Sequence, residues 1–179
     1  MIRIGIDPGV RECGVAIEWV REFPSMKQTV RSAFIVRAPR GLLLPQRGDS
    51  MACAIMQQLP TLIEPGLSSI NLCVEGQQVY PSESAKGDPN DMIKLAAVAG
   101  ILTGAIANMA TAYEQLTMLM PLPREWKGNT PKKIHHARLA RDYPHWVEPV
   151  ERDTPKSLQN HVWDAVGLLE WHKERLQKS

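Results

Sequence analysis

Residues 2–17 read IRIGIDPGVRECGVAI, and this stretch decides the fold. Ile2, Ile4 and Ile6 alternate with Arg3 and Gly5, the period of a strand with one strongly apolar face. Asp7 closes that strand, and Pro8-Gly9 turns the chain. Cys13–Trp19, rich in Val, Ile and an aromatic residue, predicts a second strand. Thr29–Arg37 predicts a third, so the opening is an antiparallel meander. A carboxylate at the end of a buried strand lies at the sheet rim, where ligands of α/β folds usually sit.

Further along, Ala38–Gly48 carries two prolines and two glycines and is expected to be a loop. Asp49–Glu64 has helical spacing, with Pro60 set to kink or end it. Ile70–Val74 predicts a short buried strand that ends at Glu75. Gly76–Pro89 is polar and predicts a loop, after which Asn90 or Asp91 would cap a helix over Met92–Thr111. Leu116–Met120 suits a fifth strand, stopped by Pro121 and Pro123. A helix is expected from Thr130-Pro131 to about Asp142, and a last one from about Thr154 to Leu176 with Pro155 in its first turn. The order β-β-β-α-β-α-β-α-α predicts an α/β fold: a mixed five-stranded sheet with helices on both faces, in a single domain over residues 1–179.

The bulk composition is that of an ordinary soluble protein, 44% hydrophobic and 22% charged, and a net charge of +2 singles out no partner. The distribution of charge is more informative. Arg21, Lys27, Arg31, Arg37, Arg40 and Arg47 face only Glu22 before Asp49; Arg124, Lys127, Lys132, Lys133, Arg138 and Arg141 face only Glu125. Two basic stretches in a near-neutral chain point to anion-binding surfaces, although solvated loops and helix faces account for either one alone. Cys13, Cys53 and Cys73 are odd in number and form no C-x-x-C pair, so disulfides and a zinc site are not expected. The chain enters a strand at once, which predicts no signal peptide. Leu95–Ala107, the longest apolar stretch, falls short of the ~20 residues a membrane span needs, so a cytoplasmic protein is expected.

The chemistry is expected at three acids from distant segments: Asp7, Glu75 and Asp164, the last one turn after His161 on the final helix. Taken singly, each has a plain explanation. Asp7 suits a hairpin turn, Glu75 a solvated strand end, and His161–Asp164 a surface pair at i, i+3. Together they define an oxygen-rich site suited to a hard divalent cation such as Mg²⁺. Leu158, Val162, Ala165, Leu169 and His172 form one helical stripe expected to pack on the sheet, with His161 and Asp164 on its flank and Trp163 opposite. Gln77, Gln78 and Tyr80 are placed to touch substrate, Tyr80 by stacking on a base. His135 and His136 are adjacent, so they point in different directions and are expected to meet DNA or solvent.

The segments IGIDPGVRECGVAI (4–17), LCVE (72–75), WKGNTPKK (126–133) and HVWD (161–164) resemble RuvC-type Holliday-junction resolvases of the RNase H-like nuclease superfamily. The resemblance spans essentially the whole chain, in order, and its divergence leans towards a bacteriophage-encoded member. It implies that Asp7, Glu75, His161 and Asp164 form the catalytic, metal-holding set. It also implies that Lys127 with Lys132 or Lys133 contacts DNA and assists catalysis, with Arg138 among the basic residues meeting phosphates. Two departures stand out: Gln78 occupies a position where resolvases often carry an aromatic, with Tyr80 nearby, and the loop 76–89 is long.

The implied reaction is two-metal hydrolysis of a DNA phosphodiester with Mg²⁺ or Mn²⁺, Asp7 bridging two ions, Glu75 and Asp164 on either side, and His161 as ligand or water-positioning group. The products would carry a 5′-phosphate and a 3′-hydroxyl. The implied partner is branched DNA, a four-way junction, read by a two-fold homodimer. Ala96, Ala97, Gly100, Gly104 and Ala107 would let a partner helix approach Met92–Thr111 closely. Rival readings are an RNase H-like nuclease for flaps, other branched DNA or RNA, and a non-catalytic junction-binding module. An actin- or sugar-kinase-type ATP-binding fold is also suggested by the strand-turn at Asp7, but the chain is short for it and lacks a second phosphate motif.

Overall fold

A computed structural model describes residues 1–23, 26–59, 69–77 and 88–177. Five strands form one sheet: β1 (Ile2–Asp7), β2 (Glu12–Phe23), β3 (Met26–Arg37), β4 (Ser69–Val74) and β5 (Gln115–Leu119), in spatial order β3-β2-β1-β4-β5. The β1–β2 and β2–β3 pairs are antiparallel; β1–β4 and β4–β5 are parallel. The meander followed by parallel crossovers is therefore as expected, with β2 and β3 each longer than their apolar centres indicated. The helices are α1 (Leu44–Gln57), α2 (Pro89–Met109), α3 (Pro123–Trp126), α4 (Lys132–Asp142), α5 (Val147–Asp153) and α6 (Gln159–Gln177), with single 3-10 turns at Ala110–Ala112 and Pro144–Trp146.

The strand period divides the sheet into a bulky face and a small one. Ile2, Ile4, Ile6, Val15, Ile17, Ile70, Leu72 and Val74 pack with Met51 and Ile55 of α1 and Val98, Leu102 and Ile106 of α2. Each such aliphatic side chain contributes about 1.5–3 kcal/mol by leaving water. The opposite face presents Gly5, Gly14, Ala16 and Ala33, over which lie Val162, Ala165, Val166 and Leu169 of α6 and Trp146 and Val150. The glycines let α6 lie against the strand backbone. A Cβ on Gly5 would stand 2.1 Å from the Ala165 carbonyl oxygen, and one on Gly14 would stand 2.2 Å from that of His161. Because Asp7 pairs with Gly14, the start of α6 sits over the end of β1 that carries Asp7.

Several boundaries differ from the sequence expectation. Helix α1 begins at Leu44, inside the predicted loop, because Pro45 falls in its first turn, where a missing N–H costs nothing. It ends at Gln57, ahead of Pro60. Asp88, rather than Asn90 or Asp91, caps α2, accepting from the Asn90 N–H at 2.8 Å. The predicted last helix starts later, at Gln159 as α6, and an unpredicted short helix, α5, stops at Asp153 ahead of it, with Thr154 extended before Pro155 as the proline ring requires. Helix α2 also exceeds the predicted apolar stretch. It has 21 residues, and an 18-residue window of it has mean hydropathy 1.6, enough by length and composition to cross a membrane, with 28% of that window buried. Its buried side, Val98, Leu102 and Ile106, belongs to the core shared with α1.

Candidate active site

Asp7 and Glu75 come together through sheet register. Ile6 pairs with Val74 in the parallel ladder, and the Glu75 N–H donates to the Ile6 carbonyl at 2.9 Å, extending that ladder by one residue. The two carboxylates therefore leave neighbouring central strands at one rim. Helix α6 supplies the rest: His161 Nδ1 donates to Asp7 Oδ2 at 2.8 Å, and Asp164 lies one turn on, 2% exposed. Asp7 itself is 6% exposed.

Cations knit this rim. Lys127 Nζ is 3.0 Å from Glu75 Oε1 and 3.9 Å from Asp164 Oδ1, so one ammonium lies between two carboxylates. Lys132 Nζ meets Asp164 Oδ2 at 2.6 Å. His136 Nε2 donates to Asp164 Oδ1 at 2.9 Å, and Trp126 Nε1 donates to Glu75 Oε1 at 3.2 Å. The Lys127 ammonium also sits over the Trp126 ring, 4.7 Å from its centroid.

The electrostatics follow from this crowding. Burial, and then the Asp7 charge, push the Glu75 carboxyl up to about 7, against the pull of Lys127. Burial acts the same way on Asp164, but the His136 hydrogen bond and the Lys127 and Lys132 charges outweigh it and hold Asp164 at about 2. Burial works to lower Lys127, yet Asp164 and Glu75 keep it above its ordinary value. The hydrogen bond to Asp7 raises His161 despite burial.

The expected quartet of Asp7, Glu75, His161 and Asp164 thus gathers at one rim. Lys127 and Lys132 reach its carboxylates, whereas Lys133, which lines a neighbouring cleft with Lys132 and Trp163, bonds no carboxylate among the described residues. Arg138 sits further off, beside Trp126 and Asp142. Tyr80 and Gln78 lie outside the described residues. His136, expected to meet DNA or solvent, is buried and bonded to Asp164, with an edge on the cleft that Lys132 and Lys133 line. Trp126 is the other site residue missed. Trp126 opens the 126–133 motif, but neither contact carries a sequence signal of its own, because each residue acts on a carboxylate brought to it only by folding.

Among the described residues, the one trio of metal-capable side chains with ligand atoms within 4.8 Å of one another lies elsewhere: Glu18, His145 and Glu170. Its charges are already matched. Arg3 and Arg31 each bond Glu18 at 2.9 Å, Lys173 lies 3.2 Å from Glu18 and 3.4 Å from Glu170, and Trp146 Nε1 donates to Glu170 at 2.7 Å. Three cations around two carboxylates oppose a further divalent charge. At the Asp7 rim, by contrast, burial and then the Asp7 charge raise Glu75, and the Lys127 ammonium lies between the Glu75 and Asp164 carboxylates.

No family model matches the sequence, and no curated protein is similar to it in sequence. Solved structures match along the whole chain. RuvC of Thermus thermophilus superposes with a TM-score of 0.60 at 15% identity, covering 100% of this chain and 97% of that one. The same protein in complex with a Holliday junction substrate gives 0.60 at 16% identity, covering 100% and 96%. The fold is RNase H-like. Within that class, its five-stranded mixed sheet and flanking helices follow the arrangement of the RuvC-type resolvases.

Proposed function

We propose that the protein is a metal-dependent, structure-selective DNA endonuclease of the cytoplasm, which resolves four-way junctions by paired symmetric nicks. The observation that carries this reading is the Asp7–Glu75–Asp164 rim, with the Lys127 ammonium between two of its carboxylates. Hard oxygen donors, mutual repulsion and a built-in stand-in cation fit Mg²⁺ or Mn²⁺. Asp7, Glu75 and Asp164, with His161, would hold one or two such ions. Bound there, they would supply Lewis acidity towards a water and a phosphodiester.

The chain's own groups do the rest. Asp7 accepts from Nδ1 of His161, which fixes the ring and leaves Nε2 without a partner among the described residues, free to serve as a ligand or to orient a water. His136 and Trp126 hold Asp164 and Glu75 in place. Lys127 and Lys132 supply positive charge where a phosphodiester would approach. The same reading includes a homodimer through α2. Gly100 and Gly104 are exposed with nothing within 4 Å of a Cβ built on either, Ala96 is exposed, and Ile93 beside them is 67% exposed. The test is cleavage of a labelled four-way junction by the protein and by Asp7→Asn; a junction left intact by the unaltered protein would count against the proposal.

A further inference from the structure

Beside the rim, reached through His161, is a cleft of about 890 Å³ whose charged lining is Arg11 of the β1–β2 turn, Glu12 of β2, Arg47 of α1, Asp91 and Lys94 of α2, and His161 of α6. Most of these charges are already paired. Glu12 bonds Arg37 at 2.8 Å, and Asp91 bonds Lys94 at 2.9 Å. Arg11 and Arg47 have no carboxylate partner among the described residues. Arg47 donates its Nε to the Leu42 carbonyl at 3.0 Å, which anchors the guanidinium. Two uncompensated guanidiniums thus face one open cleft, and a guanidinium matches a phosphate's paired oxygens better than an ammonium does.

A second cleft, of about 610 Å³, lies beyond the start of α6 and is lined by Lys132, Lys133, Asn160 and Trp163. Asn160 and its neighbour His161 face different clefts, so the first turn of α6 and the carboxylate rim stand between two basic channels. This juxtaposition is what a continuous phosphodiester strand crossing the rim requires.

We infer that the Arg11–Arg47 cleft is a phosphate-backbone groove. Resting on the nuclease reading above, it holds the substrate strand on the side of the scissile bond opposite Lys132 and Lys133. Gly9 at the turn adds no side chain to the cleft, and Glu12 is held by Arg37, so the floor stays open to the strand. A strand that is held on both sides cannot slide, so the cleft sets which phosphodiester faces Asp7.

The test is binding of a labelled four-way junction, by fluorescence anisotropy in chelator, to the full chain carrying Asp7→Asn so that cleavage is silent. Affinity is followed across about 50 to 200 mM salt, over which each neutralised phosphate contributes about 0.9 to the log–log slope. Adding Arg11→Ala and Arg47→Ala together is expected to weaken binding about tenfold or more and to flatten the slope by about two. Arg11→Ala alone, at a side chain with no partner among the described residues, is expected to flatten it by about one, which guards against a folding defect from Arg47. Arg152→Ala, at an arginine paired with Glu148 and Asp153, should change neither quantity. Unchanged affinity and slope in a parent that binds DNA would overturn the groove alone, as would weaker binding at an unchanged slope. A parent that binds no DNA would overturn the nuclease reading and the groove with it.

Discussion

His161 Nδ1 and Asp7 Oδ2 lie 2.8 Å apart across a sequence separation of 154 residues. The bond joins the end of the central strand to the start of the last helix, and it raises His161 above its ordinary value near 6.5. A raised histidine contributes stability below the unfolded pKa and loses it as pH climbs through the folded one. In the metal-free protein, Asp7→Asn is expected to bring the His161 midpoint down towards that ordinary value, as followed by NMR titration. An unmoved midpoint would show that Asp7 does not hold the ring.

The close seat of α6 depends on two glycines. Gly5→Ala and Gly14→Ala each place a methyl within 2.2 Å of a helix carbonyl, so each is expected to cost about 1–3 kcal/mol in urea unfolding and to misplace His161 and Asp164. At Gly104 a Cβ would meet nothing within 4 Å among the described residues, so Gly104→Arg points a charge outwards from α2. It should leave the fold intact but convert a sedimenting dimer to monomer. A parent that is already monomeric at micromolar concentration would remove the α2 interface from the account.

Glu18, 1% exposed, is buried midway along β2. Burial works to raise its carboxyl, but Lys173, Arg31 and Arg3 outweigh that and lower it below the ordinary 4.5. A depressed carboxylate contributes stability above its unfolded pKa and loses it as pH falls through the folded one. Glu18→Gln should therefore cost about 3 kcal/mol at neutral pH, at the low end for a broken buried pair because its cations are part-exposed. The cost should shrink below about pH 4. A variant as stable as the parent at neutral pH would show that the three cations need no counter-charge.

Lys127 compensates Glu75 and Asp164. Lys127→Ala leaves those carboxylates facing each other, so the metal-free melting temperature should fall, and Mn²⁺ should raise it by more than in the parent. An equal rise in both proteins would mean that metal and lysine do not share that space.

Much of this site was legible because strand ends are. Alternating isoleucines fixed β1 and the apolar run fixed β4, so Asp7 and Glu75 could be placed at a rim without coordinates. Helix starts were harder: Pro45 reads as a loop residue until the turn around it is seen to be helical, and Pro155 reads as a helix start although it separates α5 from α6. The groups that orient the acids were not legible. His136 reaches Asp164 only because α4 packs beside α6, and Trp126 reaches Glu75 only because the single-turn α3 sits there. No local period marks a contact of that kind. The same holds for the cleft on the His161 side, whose Arg11 and Arg47 belong to different elements and to no single charge run.

The most direct test of the account is incubation of the protein with an end-labelled four-way junction in Mg²⁺ and in Mn²⁺, beside duplex, flap and RNA–DNA hybrid substrates, with Asp7→Asn as the blank. The account predicts paired symmetric nicks in the junction, leaving 5′-phosphate ends, and none from the blank. Nicks that persist in Asp7→Asn would contradict the assigned centre, and cutting confined to flaps or hybrids would contradict the assigned substrate.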